Sequence, residues 1–289
     1  MSNDKTRVLV LGATGMLGHA MLRTFAGHPD FAVTGSVRSA AARERLPADL
    51  RPHVVTDVDV ESDAALASVL RELRPQAVIN CVGVVKQLSA ADDPLVAIPI
   101  NSLLPHRLAR HCADSNARVV HISTDCVFTG TRGNYLESDP PDAADLYGRS
   151  KLLGEVDYPN AVTLRTSIIG PELDSAHGLV GWFLSQQGRV RGFTRAIFSG
   201  LPTVELARVI ADHVLRLPAM RGVYHVSAAP IAKYDLLCLI RAAYGRTIEI
   251  EPDDRLVIDR SLDSTRFRTL TGWHPAAWPE LIAAMRAAD

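Results

Sequence analysis

A tyrosine and a lysine four residues apart are the clearest candidates for proton-transfer chemistry in this sequence. In Tyr147-Gly148-Arg149-Ser150-Lys151, helical spacing places the phenol and the ammonium on one face, close enough to interact. A neighbouring cation favours the phenolate and so lowers a phenol pKa whose reference value is about 10. Such a phenol can exchange a proton with a reacting group at neutral pH. The alternative interpretation is a pair of solvated side chains on a helix surface.

Two hydroxyls end an apolar run that precedes this pair. The run His121-Ile122-Ser123-Thr124 has the pattern of a buried strand, and its end would lie at the carboxyl edge, where open α/β sheets bind ligands. Thr124 is placed to hydrogen-bond a substrate carbonyl and to orient it toward Tyr147. Alternatively, Ser123 and Thr124 only cap a turn.

Three glycines at three-residue spacing follow the apolar run Val8–Leu11 and open a predicted helix. Glycine lets the chain turn tightly and approach a pyrophosphate, and a helix N-terminus supplies N–H groups and a positive dipole. An ordinary glycine-rich turn is the alternative, but the strand before it and the helix after it favour a dinucleotide site. The cofactor-binding candidates in this segment are Gly12, Thr14, Gly15, Met16, Leu17 and Gly18.

The end of the second predicted strand distinguishes NAD from NADP. An NAD site usually places Asp or Glu there, whereas the stretch Phe31–Arg43 contains no acid. Arg38 stands about where the 2′-phosphate of NADP would lie, and Arg43 could assist it, unless Arg38 is only a surface arginine. The sequence therefore favours NADP, with NADPH as the reductant and NADH as the open alternative.

Two further strand ends are candidates for the adenine side of the cofactor. Asp57 and Val58 follow the third predicted strand, where a carboxylate and a backbone N–H can clamp the adenine. Cys81, Val82 and Gly83 follow the fourth, where the backbone would pass the adenine-side ribose. Both are predictions from position, and an ordinary turn is the alternative for each.

The elements that must position these residues alternate between β-rich runs and helical patterns, which is typical of a parallel sheet covered on both faces. The predicted strands are Arg7–Leu11, Phe31–Ser36, His53–Thr56, Ala77–Asn80, Arg118–Ile122 and Ala161–Arg165. The predicted helices are Met16–Ala26, Asp63–Leu73, a long one before Asn116, and Tyr147–Val156. In the long helix Pro94 fits a first turn, whereas Pro99 and Pro105 predict kinks or a late start.

After Arg165 the pattern becomes irregular, with helices near Gly181–Gln187, Val204–Leu217 and Lys233–Tyr244 and a short strand at Gly222–Val226. We therefore predict an α/β fold with a doubly wound parallel Rossmann sheet and a smaller, interleaved C-terminal substrate domain. The Rossmann domain would comprise residues 1–166, with 202–228 returning to it. The substrate domain would comprise residues 167–201 and 229–289.

The composition is that of a folded globular protein, with 289 residues, 47% of them hydrophobic and 22% charged. A formal net charge of -1 provides no electrostatic reason to expect nucleic acid or a membrane surface as a partner. No apolar run approaches the roughly 18 residues of a membrane span, and the first residues show no signal-peptide pattern. The four cysteines have no paired spacing. We expect a cytoplasmic protein without a metal site or disulfides.

Taken together, the glycine turn, Ser123–Gly130 and Tyr147–Glu155 resemble the extended short-chain dehydrogenases/reductases. Within them, the chain is similar to the dTDP-4-dehydrorhamnose reductase group of nucleotide-sugar reductases. The resemblance continues through Leu164–Gly170, Gly200–Ala207 and Ser261–Ser264, so it covers nearly the full length.

The resemblance implies a catalytic triad of Thr124, Tyr147 and Lys151, with Asn101 organising water near Lys151; Asn101, Tyr147 and Lys151 are therefore cofactor-binding candidates as well. It implies hydride transfer from NADPH to the C4 ketone of a 4-keto-6-deoxyhexose on a nucleoside diphosphate, with Tyr147 donating the proton. Lys151 would hold the nicotinamide ribose and, with the positive ring, lower the pKa of Tyr147. A role in polysaccharide biosynthesis follows from the resemblance alone. The oligomeric state stays open, with a homodimer among the alternatives.

The resemblance also implies that the C-terminal segments cover the nucleotide sugar. The substrate-binding candidates are Thr124, Asp125, Cys126, Ile168, Arg191 and Arg195, of which the two arginines are candidates for a diphosphate contact. Reductases of this group often carry tyrosine in place of Cys126 and an aromatic residue in place of Ile168. A UDP-linked 2-acetamido-4-keto-6-deoxyhexose therefore competes with the dTDP-linked rhamnose precursor.

Three other functions are open. A dehydratase commonly needs adjacent Asp and Glu after the same threonine, and Cys126 occupies the place of the glutamate. A C4-epimerase would keep the tyrosine–lysine pair and hold NAD, which the missing acid after the second strand argues against. A non-catalytic, nucleotide-binding regulatory subunit of the same fold would have no reason to keep Tyr147 and Lys151.

Overall fold

The computed structural model of the protein describes residues 5–86 and 89–289. Its strands are β1 (Thr6–Leu11), β2 (Phe31–Ser36), β3 (Val54–Val55), β4 (Ala77–Asn80), β5 (Arg118–Thr124), β6 (Ala161–Thr166), β7 (Ile168–Ile169), β8 (Arg189–Phe193), β9 (Ala196–Phe198), β10 (Leu201–Pro202), β11 (Gly222–His225), β12 (Ile231–Ala232), β13 (Glu249–Asp253) and β14 (Ile258–Asp259). Its helices are α1 (Met16–Ala26), α2 (Ala40–Arg43), α3 (Asp63–Leu73), α4 (Pro94–Ala97), α5 (Leu104–Asp114), α6 (Leu146–Leu153), α7 (Leu179–Ser185), α8 (Thr203–Val209), α9 (Lys233–Ala243), α10 (Thr265–Thr271) and α11 (Trp278–Ala287).

The centre of the molecule is a seven-stranded parallel sheet with the order β11-β6-β5-β4-β1-β2-β3. Successive residues of β1 point to opposite faces, and both faces are buried, as in other parallel sheets. Val8 and Val10 pack with residues of α1 and α8, whereas Leu9 and Leu11 pack with residues of α3 and α5. The predicted α/β class with a doubly wound parallel sheet is confirmed. The strand order reverses at β1, and open sheets bind ligands beyond the carboxyl ends at such a point.

The predicted long helix before Asn116 is interrupted where its prolines stand. Pro94 begins α4, and the Asp93 carboxylate caps that helix by accepting the Leu95 N–H at 2.9 Å. A wide π-helical turn over Ile98–Leu103 then leads into α5. Proline removes a backbone donor from a helix, so the hydrogen-bond ladder shifts at this point. The wide turn carries Asn101, which is buried.

Helix α6, which carries Tyr147 and Lys151, is shorter than predicted. The Asp145 carboxylate caps its start by accepting the Gly148 N–H at 2.7 Å. The helix ends at Leu153 rather than at Val156. The next residue, Gly154, packs against the turn before α5 so closely that a Cβ would lie 1.9 Å from the Asn101 carbonyl oxygen. Only glycine permits this approach.

After β6 the chain forms three small sheets, β10–β7, β12–β9–β14 and β13–β8. Most of their strands have only two or three residues, which is too short for a periodic pattern to predict them. In contrast, β11 lies within the predicted strand Gly222–Val226 and pairs in parallel with β6 at the edge of the central sheet. No helix within the described ranges is long and apolar enough to cross a membrane.

Candidate active site

The turn between β1 and α1 and the first residues of α1 require glycine at two positions, one for its backbone conformation and one for a close contact. Gly12 has a φ of +81°, in the left-handed region. Gly18 lies so close to the turn that a Cβ there would be 2.0 Å from the Gly12 carbonyl oxygen. Gly15 is the N-cap of α1, and no side chain in the described part of the protein caps this helix. The first N–H groups of α1, with the helix dipole, are therefore available to a phosphate.

The end of β4 adjoins this glycine turn. The Cys81 N–H donates to the Leu11 carbonyl at 3.2 Å, and a Cβ at Gly12 would lie 3.0 Å from the Val82 side chain. The other predicted members of the turn are part of the same structure: Thr14 lies in the turn, and Met16 and Leu17 begin α1. The backbone thus fits the pyrophosphate and ribose of a dinucleotide.

The end of β2 and the segment after β3 lie on the other side of the turn. The Ala13 N–H donates to the last residue of β2 at 3.0 Å, and the Val58 N–H donates to the Val37 carbonyl at 3.1 Å. Asp57 has a φ of +62°, which is uncommon outside glycine. Arg38, two residues beyond the end of β2, is exposed. The structure therefore brings the predicted adenine-side residues to the same edge of the sheet as the glycine turn.

Thr124, Tyr147 and Lys151 come together where β5 meets α6. The Lys151 ammonium donates to the Ile122 carbonyl at 2.7 Å, which joins the helix to the strand. Thr124 ends β5, and its hydroxyl accepts the Cys126 N–H at 3.1 Å and donates to the Asp125 carboxylate at 3.2 Å. Both Thr124 and Lys151 are buried, whereas Tyr147 is half-buried.

Burial acts oppositely on the pKa values of the tyrosine and the lysine. It raises the pKa of the Tyr147 phenol, an effect that Cys126 increases and the Thr124 hydroxyl opposes. It lowers the pKa of Lys151 to about 8, against the raising influence of the Glu155 carboxylate. The predicted lowering of the tyrosine pKa therefore does not arise from the protein's own groups. A neutral phenol is the form that can donate a proton.

Asn101 connects the end of β4 to α6. Its Oδ1 accepts the Val84 N–H at 2.9 Å, and its Nδ2 donates to the Ser150 hydroxyl at 3.2 Å. A Cβ at Gly83 would lie 3.4 Å from that Oδ1 and 3.9 Å from the Lys151 Nζ. Gly83 and Asn101 thus lie next to the lysine, on the side where the resemblance implies the nicotinamide ribose.

Asp125 and Cys126 continue from Thr124 in a short 3-10 turn. Burial raises the pKa of the Asp125 carboxyl, and the nearby Arg260 guanidinium opposes this rise. Burial also raises the pKa of the Cys126 thiol to about 11, so the thiol is neutral. Lys233 is a second cation near Asp125. Sequence analysis missed Arg260 and Lys233 because both lie more than 100 positions away from Asp125 in the chain.

The remaining substrate-binding candidates are not brought into this cluster by a recorded contact among the described residues. Ile168 is half-buried in β7. Arg191 is exposed on β8, where it lies opposite Glu251 of β13, and Arg195 is exposed just before β9. Their contact with a diphosphate stays a prediction.

Sequence analysis also missed a buried ion pair next to the predicted catalytic residues. Arg165 lies on β6, and Glu155 follows the end of α6; both side chains are almost fully buried. An arginine inside the otherwise uncharged strand Ala161–Thr166 was the available signal, because an unpaired buried charge is costly.

The glycine turn at the point of strand reversal, together with Tyr147 and Lys151 beside Thr124, defines an extended short-chain dehydrogenase/reductase. The family described as "RmlD substrate binding domain" matches residues 6–285, and the chain belongs to that family. The predicted resemblance is confirmed.

Named relatives are of two kinds. The "Probable low-salt glycan biosynthesis reductase Agl14" of Haloferax volcanii is 36% identical over 180 residues, which cover 60% of this chain and 57% of that protein. The chain thus spans little more than half the length of that relative. Methionine adenosyltransferase 2 subunit beta of Danio rerio is 29% identical over 252 residues, which cover 83% of this chain and 74% of that protein.

Among solved structures, the dTDP-4-dehydrorhamnose reductase of Bacillus anthracis in complex with NADP has a TM-score of 0.81 to this chain. The match covers 99% of this chain and 100% of that one at 20% sequence identity. This likeness shows the same fold over the whole chain. The Haloferax volcanii relative is named as a reductase, as the predicted class of NAD(P)H-dependent oxidoreductases requires.

Proposed function

We propose that the protein reduces the C4 ketone of a nucleotide-diphosphate 4-keto-6-deoxyhexose with NADPH. The observation that carries this proposal is the convergence of Thr124, Tyr147 and Lys151 beside a glycine turn shaped for a dinucleotide. The names of the Haloferax relative and of the Bacillus structure support the same reaction class. The bound NADP in the latter supports the choice of cofactor.

The residues present fit a nicotinamide dinucleotide. The glycine turn and the first turn of α1 would hold its pyrophosphate, Arg38 a 2′-phosphate, and Lys151 with Asn101 the nicotinamide ribose. When bound, this cofactor supplies the hydride. The missing Cβ atoms at Gly12 and Gly18 are the structural reason why a phosphate can approach the backbone.

The chain's own residues would handle the proton and the carbonyl. The Thr124 hydroxyl would turn from Asp125 to donate to the substrate carbonyl oxygen, which orients that oxygen toward Tyr147. The Tyr147 phenol, kept neutral by burial, would donate its proton to the developing alkoxide. The Lys151 ammonium would stabilise the phenolate that results. A neutral Cys126 in place of the tyrosine common in this group leaves space and removes a hydroxyl near the sugar, which favours a substrate other than the dTDP-linked rhamnose precursor.

The test follows oxidation of NADPH and of NADH by purified protein with 4-keto-6-deoxy sugars on dTDP, UDP and GDP, including a UDP-linked 2-acetamido sugar. We expect one sugar nucleotide to be reduced, faster with NADPH. The Tyr147→Phe variant should still bind NADPH and lose turnover by about 10³-fold, because it lacks the hydroxyl that donates the proton.

The conservative nature of Tyr147→Phe makes the result decisive. Equal turnover by the variant would contradict the assigned proton donor. Absence of turnover with every sugar nucleotide, while NADPH still binds, would contradict the reductase function itself.

A second candidate, a nucleotide-binding regulatory subunit, is favoured by the likeness to methionine adenosyltransferase 2 subunit beta. Such a protein would bind NADPH and a partner enzyme without consuming the cofactor. Its function would survive Tyr147→Phe, so the same variant separates the two candidates.

A further inference from the structure

A buried ion pair lies directly behind the catalytic residues. The Glu155 carboxylate accepts two hydrogen bonds from the Arg165 guanidinium, one from Nε and one from a terminal nitrogen, both at 2.7 Å. The side chains are only 5% exposed for Arg165 and 7% exposed for Glu155. Removing two charges from water is costly, and an apolar pair of similar size often stabilises a fold as well or better. The pair is therefore poorly explained by stability alone.

The carboxylate is linked to both catalytic segments. Its Oε1 also accepts the Ser123 hydroxyl at 2.7 Å, and Ser123 directly precedes Thr124 on β5. Glu155 itself follows Lys151 by four residues, just beyond the end of α6. The carboxylate therefore joins the end of β5 to the segment that follows α6. The distance between the Thr124 hydroxyl and the Tyr147 phenol depends on that arrangement.

The carboxylate also influences the charge of Lys151. Burial lowers the pKa of Lys151 to about 8, and Glu155 is the leading group that opposes this effect. Burial raises the pKa of the Cys81 thiol to about 12 and lowers the pKa of His121 well below its usual value, so both are neutral around the lysine. Burial likewise keeps the Tyr147 phenol neutral. Glu155 is therefore the group whose removal should change the pKa of Lys151 most.

The far side of the ion pair is held by other segments. A terminal nitrogen of Arg165 lies 3.3 Å from Nε2 of His225 on β11, and Nδ1 of His225 lies 3.0 Å from the Tyr135 carbonyl. Burial, with Arg165 nearby, lowers the pKa of His225 to about 4. The imidazole is thus neutral, accepts from Arg165 and donates to Tyr135. The Arg165 guanidinium also lies over the Phe128 ring, 5.4 Å from its centroid.

We propose that Glu155 and Arg165 are positioning residues of the reductase site. Arg165 fixes the carboxylate of Glu155, which in turn holds Ser123 and so the end of β5 at Thr124. This inference rests on the proposed reductase function for its kinetic consequences, but its effect on Lys151 can be measured without substrate.

The main test compares the wild type with Glu155→Gln and with the double variant Glu155→Leu/Arg165→Met. The double variant removes both charges and so leaves no unpaired arginine if Glu155→Gln fails to fold. Because Glu155 raises the pKa of Lys151, its removal should lower that pKa. We expect the alkaline limb of kcat/KM for reduction to move from near pH 8 to a lower pH by about one pH unit, with kcat at pH 7.5 reduced about tenfold.

Two further variants separate charge from position. Ser123→Ala keeps the carboxylate charge, so it should lower kcat about threefold to tenfold without moving the alkaline limb. Arg118→Met is the matched structural control, since Arg118 stands at the opposite end of β5 and donates to three carbonyls, those of Val214, Leu217 and Met220. It should lower the melting temperature and leave kcat and the alkaline limb unchanged.

The second readout is NADPH affinity as a function of pH, measured by fluorescence without any sugar. Affinity should fall as Lys151 loses its proton, and it should fall at a lower pH in both Glu155 variants. The inference would be overturned if the double variant folds and its NADPH affinity and kcat/KM still fall at the same pH as in the wild type. It would also be overturned if Arg118→Met shifts that pH as much as the Glu155 variants do. A wild type that binds NADPH but reduces no sugar would contradict the proposed function, and the binding limb would still test the role of Glu155.

Discussion

The proposed cofactor-binding end of the site consists of a glycine-rich backbone, whereas the proposed catalytic end consists of buried charged side chains. At the cofactor end, a backbone without Cβ atoms at Gly12 and Gly18 leaves N–H groups of α1 open to a phosphate. At the proposed catalytic end, Lys151 and Arg165 are buried, and Arg165 is paired with Glu155. The cofactor-binding end depends on the shape of the backbone, which costs the fold little. The catalytic end depends on buried charge, which opposes folding. Substitutions that remove activity should therefore lower stability at the cofactor-binding end and raise it at the catalytic end.

The sharpest test of this contrast is Lys151→Met. Because burial lowers the pKa of Lys151 from 10.5 to about 8, keeping it protonated in the fold at pH 7 costs roughly 3 kcal/mol. We expect the variant to gain up to about this much free energy of unfolding at pH 7 and to lose about 10³-fold in kcat/KM. The cost is fully present below pH 8 and fades as pH rises toward 10.5, so the gain should shrink at pH 10.

Urea unfolding at both pH values, alongside NADPH turnover, measures this prediction. A variant that is less stable than the wild type at pH 7 would show that the catalytic end does not oppose folding. It would therefore contradict the proposed difference between the two ends.

At the cofactor end, Gly18→Ala should destabilise and inactivate together. The new Cβ would lie 2.0 Å from the Gly12 carbonyl oxygen, which is backbone and cannot move aside cheaply. We expect a loss of about 3 kcal/mol or more in the free energy of unfolding, with loss of NADPH binding. In Gly15→Ala the new Cβ would lie 3.5 Å from the Gly12 carbonyl oxygen, an ordinary contact distance. The free energy of unfolding should therefore change by less than about 1 kcal/mol. Equal losses in the two variants, measured by thermal unfolding, would contradict a requirement for shape at Gly18.

The smallest expected effect concerns the exposed edge of the cofactor end. Arg38→Ala should lower kcat/KM with NADPH roughly tenfold, the size of one charge-assisted hydrogen bond in partial solvent, and leave the value with NADH unchanged. The exposed Arg71 of α3 provides the control, since Arg71→Ala should affect neither cofactor. An equal loss of kcat/KM with NADPH and with NADH would contradict the assigned contact between Arg38 and the 2′-phosphate.

The part of the fold that follows local rules was predictable from the sequence. Apolar strands alternating with amphipathic helices predicted the doubly wound sheet, and the spacing of the glycines and of Tyr147 and Lys151 predicted two segments of the site. Each of these two site signals lies within a stretch of about ten residues, so a local pattern contains it completely.

Features that depend on contacts between distant segments were not predictable in this way. Helix α6 ends early where Gly154 meets Asn101, 53 positions earlier in the chain. The interactions of the Glu155 carboxylate with Arg165 and Ser123 join positions that are 10 and 32 residues away in the chain, so no local pattern contains them. The pKa of Tyr147 was expected to fall because the local pattern shows the lysine but not the burial, which acts in the opposite direction.

Strand β11 comes late in the sequence but pairs with β6, which affects folding during synthesis and the behaviour of truncated fragments. Strand β6 is buried along its whole length, and β11 covers its outer edge. During synthesis, the backbone edge of β6 stays unpaired until residues 222–225 emerge, and exposed strand edges invite association between molecules. A fragment cut after β6 would carry that edge permanently. The segment through β6 therefore leaves a strand edge that β11 covers, and nascent chains expose that edge between the synthesis of these two strands.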